Sequence, residues 1–473
     1  MASFKGIAYG MGVFLVSTLF FYSLNSGISC TNDGSHFALV NSMVEDHSFK
    51  IGRNVAYSMH DSAIYKGEYY SDRSPGWPLF LYGFYWMTLP IKPFLMDIRT
   101  DDYLEGKTQS GDLRRISLLM LAPAAVTAFL LLSIFFFLRS FEYNVVISSV
   151  TAFLLVMGTI SMRYGTVLYS HSLMCLLVLA SNYFLIKYAK GQNLWHLGIG
   201  IFFLSYSLIT EHISLFLCLP IGIYLLVRCR SFIFKMRPMI ILIASGLIPL
   251  LFFFWYNYHN FGHPLSIAQS HQVMYSFYKD ISKTFFGSDP VENFKRLLIG
   301  TTYFGDRFYS LLYFSPFLIV IFSLLIFRPC RTLWPETMLL SSEFIITLLA
   351  VSCYSLPTGG NDMDYRHMLF AVPLLAPLLA ESLVRIRDKL VLLDRRLYMT
   401  ALIIYLFICA IAIDAQFNHI RTVFQEELPS VFCNVKPALT NCTLLLLLGL
   451  AYLGILLAVA NYIKVVKNKD CKV

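Results

Sequence analysis

The chain has 473 residues, of which 57% are hydrophobic, 16% aromatic and only 14% charged. A soluble domain carries about 25% charged residues, and apolar runs long enough to cross a bilayer recur here, each of about 20 residues; a soluble protein is excluded, and so is a transmembrane barrel, which would alternate apolar and polar in short segments. The net charge of +9 does not point to nucleic acid, because Lys and Arg cluster in short turns between apolar runs, where the positive-inside rule puts them.

The expected fold is therefore an all-α polytopic membrane protein. Residues 1–28 hold one Lys and then an apolar run to Ile28. The run is long for a cleaved signal peptide and reads as a retained signal-anchor helix with its N-terminus inside. The apolar pattern predicts twelve spans, at 7–28, 115–138, 145–162, 172–188, 195–210, 212–227, 239–257, 308–327, 337–356, 368–384, 397–416 and 442–463. A further run, 77–96, contains Pro78, Pro90, Pro93 and Lys92. If it crossed the membrane, the basic turns around Arg139, Lys187, Arg228, Arg328, Arg385 and Lys464 would all move outside, against the positive-inside rule. It is read as an interfacial helix with Trp77, Tyr82, Tyr85 and Trp86 as anchors. Both termini are then cytoplasmic. Residues 29–114 form a first outer loop with embedded surface helices, and 258–307 a second; 357–367 and 417–441 are shorter. No repeat or separate soluble unit is visible, so 1–473 reads as a single transmembrane domain in a plasma (inner) membrane.

The polar groups outside the basic turns converge on the outer face. Almost no ionisable residue is expected in mid-span, where charge is costly and marks ion or proton paths. Asp33 follows the first span closely, at a depth fixed by that helix. This placement suits a general base, and equally a turn or helix cap, since Asn-Asp-Gly-Ser is strong turn and cap chemistry. Glu45 and Asp46 form a second acidic cluster. Arg73 lies in Ser-Asp-Arg-Ser-Pro-Gly before the interfacial helix, where a guanidinium fork and a helix N-terminus both favour phosphate; snorkelling at the headgroup level is the plainer alternative. Tyr169, His171, Glu211, His212, Tyr365 and Arg366 sit at span ends and serve as interfacial anchors or as contacts to a phosphate or sugar. The ten cysteines are scattered without metal-like spacing. Cys30 and Cys433 could pair on the outer face, or be unpaired filler. The sequon at Asn441 abuts a span.

Three motifs carry a family resemblance: Asn32-Asp33-Gly34-Ser35-His36-Phe37-Ala38 after the first span, Tyr69 to Gly76 before the interfacial helix, and Gly158-Thr159 through Tyr169-Ser170-His171. Weaker echoes are Tyr256-Asn257-Tyr258 with Phe261 to Leu265, and Tyr365-Arg366-His367-Met368-Leu369. With these, most of the chain resembles the GT-C class of lipid-dependent membrane glycosyltransferases, in particular the bacterial and archaeal set related to protein O-mannosyltransferases and the lipid A aminoarabinose transferase. The resemblance implies an inverting glycosyltransferase whose donor is a sugar on a polyprenyl phosphate, with a glycan, lipid or protein as acceptor. Asp33 would take the acceptor proton. Arg73, with Arg366, would hold the leaving phosphate, and Asn32, Glu45, Asp46, Tyr70, Asp72, Tyr169, His171, Glu211, His212 and Tyr365 would line the substrates. The chain departs from the family at Arg73-Ser74, where Lys and a second Pro are usual, and lacks the second acidic residue many relatives have in the outer turn. No cofactor is implied with certainty, and no metal is supported by the spacing. A carrier for lipid-linked sugars and a non-enzymatic membrane scaffold are the competing readings.

Overall fold

The structure, a computed structural model, describes residues 4–95 apart from 26 and 29, then 111–274, 279–300, 310–326, 334–357, 359, 365–393 and 395–425. The expected span 442–463, Cys433 and Asn441 lie outside the described residues, as does most of 417–441. The chain runs α1 (Phe4–Ser23), α2 (Thr31–Glu45), α3 (Val55–Ser58), strands β1 (Ser62–Tyr65) and β2 (Glu68–Ser71), and α4 (Gly76–Thr88). Next come α5 (Asp112–Leu119), α6 (Leu121–Arg139), α7 (Val145–Met157), α8 (Ser161–Tyr164), α9 (His171–Gly191), α10 (Leu194–Thr210), α11 (Cys218–Ile233) and α12 (Met236–Phe261). Short helices α13 (Ile281–Phe286), α14 (Pro290–Leu298), α15 (Leu311–Phe314) and α16 (Ser323–Ile326) precede α17 (Trp334–Ser352), α18 (Ala376–Leu393) and α19 (Arg395–Gln425).

Among the described residues, six helices are long and apolar enough to cross a membrane: Asp112–Arg139, His171–Gly191, His212–Ile233, Met236–Phe261, Pro335–Ser352 and Arg366–Lys389. Four shorter apolar helices, Tyr9–Ser23, Val145–Met157, Leu194–Thr210 and Met399–Ile413, fall on other expected spans. The chain is thus an integral membrane protein. The expected span 308–327 is not one helix. It breaks into α15, the 3-10 turn Pro316–Phe322 and α16, because Pro316 has no N–H to continue a helix and the Ser315 hydroxyl turns aside to the Gly158 carbonyl at 2.8 Å.

The first loop is not all-α. β1 and β2 form an antiparallel hairpin that pairs Ser62 with Ser71 and Tyr65 with Glu68. Its two-residue turn, Lys66-Gly67, has φ of +51° and +82°, the double positive φ that matches the twist of a tight hairpin. Lys50 pairs beside Tyr70, and Gln272 from the second loop pairs beside Ala63.

α4 is 13 residues long, about 20 Å at 1.5 Å per residue, too short for a hydrocarbon core of about 30 Å. It packs on the bundle by its Trp77 face. Trp77 is wholly buried and its indole N–H donates to the Leu168 carbonyl at 2.9 Å. It is a core residue and not the expected surface anchor, a role open to Trp86, which is 48% exposed. Trp77, Phe37, Tyr57, Ile116 and Leu168 form one apolar cluster that fuses the first-loop helices to the bundle.

Glu343 lies halfway along α17, is completely buried and faces Asn182 of α9. The mid-span region therefore does hold an ionisable group.

Candidate functional site

The site grows from the start of α2. Cys30 is its N-cap, with extended φ and ψ of −157° and 175°, so Asn32, Asp33 and Gly34 lie in the first helical turn and not in a free turn. Asp33 is completely buried there, where a carboxylate is favoured by the N-terminal end of the helix dipole. Gly34 fixes the placement, because a Cβ on it would lie 1.7 Å from the Tyr57 carbonyl oxygen. Only glycine lets α2 lie this close to α3.

The hairpin then brings Ser71 to Ser74 back onto α2. Ser35 Oγ lies 2.8 Å from Ser71 Oγ and 3.2 Å from Asp72 Oδ1. Arg73 pairs with two carboxylates: its Nη2 donates to Asp61 Oδ2 at 2.5 Å and its Nε lies 3.1 Å from Asp72 Oδ1. Asp61 Oδ2 also accepts the Thr31 hydroxyl at 2.8 Å. Thr31 and Ser35 are one turn apart on the same face of α2, so the helix carrying Asp33 and the loop carrying Arg73 close into one polar ring. Burial is the main cause that pushes the Asp72 carboxyl up from 3.8 to about 7; Asp61 adds to it, while Arg73 and the Ser35 hydroxyl oppose it. Burial, helped by Arg73, holds the His36 imidazole well below its ordinary value.

The remaining wall comes from three bundle ends. At the start of α9, Tyr169 Oη lies 3.0 Å from Cys30 Sγ, and the Arg366 guanidinium stacks over the Tyr169 ring at 5.6 Å. His171 stacks beside Tyr164 at 4.8 Å and lies 6.3 Å from His367. At the end of α10, Glu211 accepts the Ser170 hydroxyl. His212 holds Leu208 O through Nδ1 at 3.1 Å, which leaves Nε2 to accept the Ser74 hydroxyl at 3.2 Å. Gly76 lets α4 start against this corner, because a Cβ there would lie 2.5 Å from Thr210 Oγ1.

Of the residues singled out in the sequence, Asn32, Asp33, Asp72, Arg73, Tyr169, His171, Glu211, His212 and Arg366 are gathered at this end of the bundle. Glu45 and Asp46 are not. Twelve residues beyond Asp33 on the same helix is about 18 Å away. Glu45 pairs with Arg115, which also binds Asp112 at 3.0 Å, in a network that joins α2 to α5. Asp46 pairs with Arg53 at 3.2 Å on the surface. Tyr365 is a buried pin, with its hydroxyl 3.2 Å from Ser315 Oγ. Tyr70 packs on Phe261 at 5.2 Å behind the hairpin. Asp61 was missed. It sits twelve residues before Arg73, and only the unforeseen hairpin joins them; the Lys-Gly step in Ile-Tyr-Lys-Gly-Glu-Tyr-Tyr was the available signal. Among the described residues no group of three or more His, Cys, Asp or Glu could hold a metal ion.

Below α4, an apolar groove of about 700 Å³ runs between α6, α9 and α10. Phe80, Phe129, Leu176, Phe184, Phe203 and Tyr206 are among its lining residues. Its upper end abuts the Ser74-Pro75-Gly76 turn, where Tyr206 Oη donates to the Gly76 carbonyl at 2.9 Å.

No family model and no curated protein sequence matches this chain. Solved structures do. ArnT from Cupriavidus metallidurans bound to undecaprenyl phosphate superposes with a TM-score of 0.50 at 13% identity, over 81% of this chain and 61% of that one. The apo oligosaccharyltransferase of Archaeoglobus fulgidus gives 0.47 at 11% identity, over 88% of this chain and 56% of that one. The chain thus spans less than two thirds of either neighbour. The likeness to ArnT shows that this chain shares the fold of that protein over most of its own length.

Proposed function

We propose that the protein is an inverting glycosyltransferase that takes a sugar from a polyprenyl phosphate and passes it to an acceptor hydroxyl at the outer membrane face. The observation that carries this reading is the polar ring Thr31–Asp61–Arg73–Asp72–Ser35, which ties a buried carboxylate helix to a guanidinium at one end of a membrane bundle. Asp33 acts as the base that removes the acceptor proton. Arg73 meets the phosphate, which gains negative charge as the anomeric bond breaks, so its stabilisation grows toward the transition state. Arg366 supports it from across Tyr169. The apolar groove below α4 suits the polyprenyl tail, with the headgroup left at the Ser-Pro-Gly turn. The neighbour ArnT was solved with undecaprenyl phosphate, in keeping with this donor class. The twelve-span topology, with cytoplasmic termini and one domain over 1–473, completes the reading. It leaves the acceptor as a glycan, a lipid or a protein.

The test is transfer by the purified full chain from radiolabelled polyprenyl-phosphate sugars. Asp33→Asn is expected to lose transfer, by a hundredfold or more given that general-base catalysis contributes about 10²–10⁴, while still binding the donor. Arg73→Ala is expected to weaken the donor. Full activity in Asp33→Asn removes the base assignment. A lipid-linked sugar carrier is the second reading, favoured by one observation, the buried mid-span Glu343. Lipid movement in liposomes without sugar transfer, lost in Glu343→Gln, is the result that selects it.

A further inference from the structure

Arg73 sits between two carboxylates that are not equivalent. Asp61 receives Arg73 Nη2 and the Thr31 hydroxyl on one oxygen, and its side chain is 8% exposed. Asp72 is 3% exposed and backed by the buried Ser35 and Ser71. Water reaches it poorly, and its counter-charge is Arg73 Nε, a guanidinium donor that a phosphate could take in its place. Two anions competing for one partly buried guanidinium are costly, because each loses hydration without a full partner.

We propose that a lipid phosphodiester displaces Asp72 from Arg73, and that Asp72 takes up one proton from water as it does so. Asp72 is then a specificity-determining neighbour of the clamp, which sets the pH range over which Arg73 is open to an anion. The inference rests on reading Arg73 as the donor-phosphate contact. One guanidinium-to-carboxylate ion pair breaks, one guanidinium-to-phosphate contact forms, and one proton moves from bulk water to Asp72; no covalent bond to carbon or phosphorus changes. Asp61 keeps its place because Thr31 holds it as well. The Asp72 carboxyl, already raised to about 7 by burial, needs little further help to take the proton near neutrality.

Other titratable and charged groups surround this pair. His36 and Asp33 come from α2, His171 from α9, and Arg366 and His367 from the turn before α18; His36, His171 and His367 all feel the Arg73 charge. His212 reaches the motif through Ser74. Histidines can also produce a pH slope near neutrality, so the test must separate them from Asp72.

The probe is farnesyl methyl phosphate, a phosphodiester with one fixed charge and no sugar, titrated calorimetrically into the detergent-solubilised full chain. For the wild type, Kd is expected to rise about tenfold between roughly pH 6 and pH 8, as the fraction of chain with a protonated Asp72 falls. Repeating the titration near pH 8 in two buffers of different ionisation enthalpy should show up to one proton taken up per ligand. Asp72→Asn should bind at pH 8 about as tightly as the wild type does at pH 6, without the proton. A flat wild-type profile, or a slope and proton count that survive Asp72→Asn, overturns the inference. If Asp72→Asn does not fold, Asp72→Ser takes its place in both measurements, and a slope and proton count that survive it overturn the inference in the same way. If the wild type binds the probe and Arg73→Ala binds it equally well, the clamp reading itself fails, and the inference falls with it.

Discussion

Arg73 has a planar fork, and the structure uses it to reach two carboxylates from two directions. A Lys there would keep the charge but could not span Asp61 and Asp72 together. Arg73→Lys is therefore expected to loosen the ring, seen as faster hydrogen exchange at Ser71 to Ser74, and to weaken phosphodiester binding less than Arg73→Ala does. The Asp72 carboxyl also makes a stability prediction. Its folded value, about 7, lies above the ordinary 3.8, so between these values the folded chain holds more protons than the unfolded chain. Stability from this group is fully present below about pH 4 and is lost as pH rises through about 7. The thermal midpoint of the wild type should fall across that window more than that of Asp72→Asn, and equal slopes would show that Asp72 is not the group responsible.

Short elements, not long helices, shape the site, and their spacing depends on two glycines. Gly34→Ala must push α2 off the Tyr57 carbonyl, and Gly76→Ala must push α4 off Thr210; neither clash is with the flexible end of a side chain alone. Gly76→Ala is expected to lower the thermal midpoint and to weaken the Ser74–His212 contact, whereas Gly83→Ala, where nothing lies within 4 Å of the added Cβ, should be nearly silent. Trp77→Ala should cost about 3–5 kcal/mol, as for other large buried aromatics; a cost below about 1 kcal/mol would place Trp77 at the surface. These elements also show how much the sequence revealed. The long spans were legible because twenty apolar residues in a row have few other uses. Asp33 and Arg73 were legible because they are charges at span ends. The hairpin was not foreseen, since four-residue strands give too short an alternation to stand out beside aromatic helices. Asp61 was missed with it, being a partner made by pairing and not by proximity in sequence. Glu45 was drawn in wrongly because sequence nearness on a helix is distance along its axis. Glu343 was passed over as one acid in an apolar run, and only packing shows that it faces Asn182.

At the scale of the whole molecule, the basic turns and the polar ring lie at opposite ends of the same helices. α9 starts at His171 beside the ring and ends at Lys190-Gly191; α12 starts at Met236-Arg237 and ends at Phe261, against the hairpin. If the basic ends face the cytoplasm, the ring faces outward, and a donor delivered to the outer leaflet meets Arg73 without crossing the bundle. This depends on α4 lying in the interface: if residues 77–96 crossed instead, the N-terminus and the turn 228–237 would lie on opposite sides. Single cysteines in a cysteine-free chain separate the two arrangements. Ser231→Cys should resist an impermeant thiol reagent in intact cells, Lys92→Cys and Lys279→Cys should react, and an N-terminal tag should be protected on the same side as Ser231. A protected N-terminus together with a reactive Ser231→Cys would mean that 77–96 spans the membrane. Residues 31–73 would still face outward, but 163–171 and 211–212 would lie on the cytoplasmic face, and the site that joins Arg73 and Ser74 to Tyr169, His171 and His212 could not form.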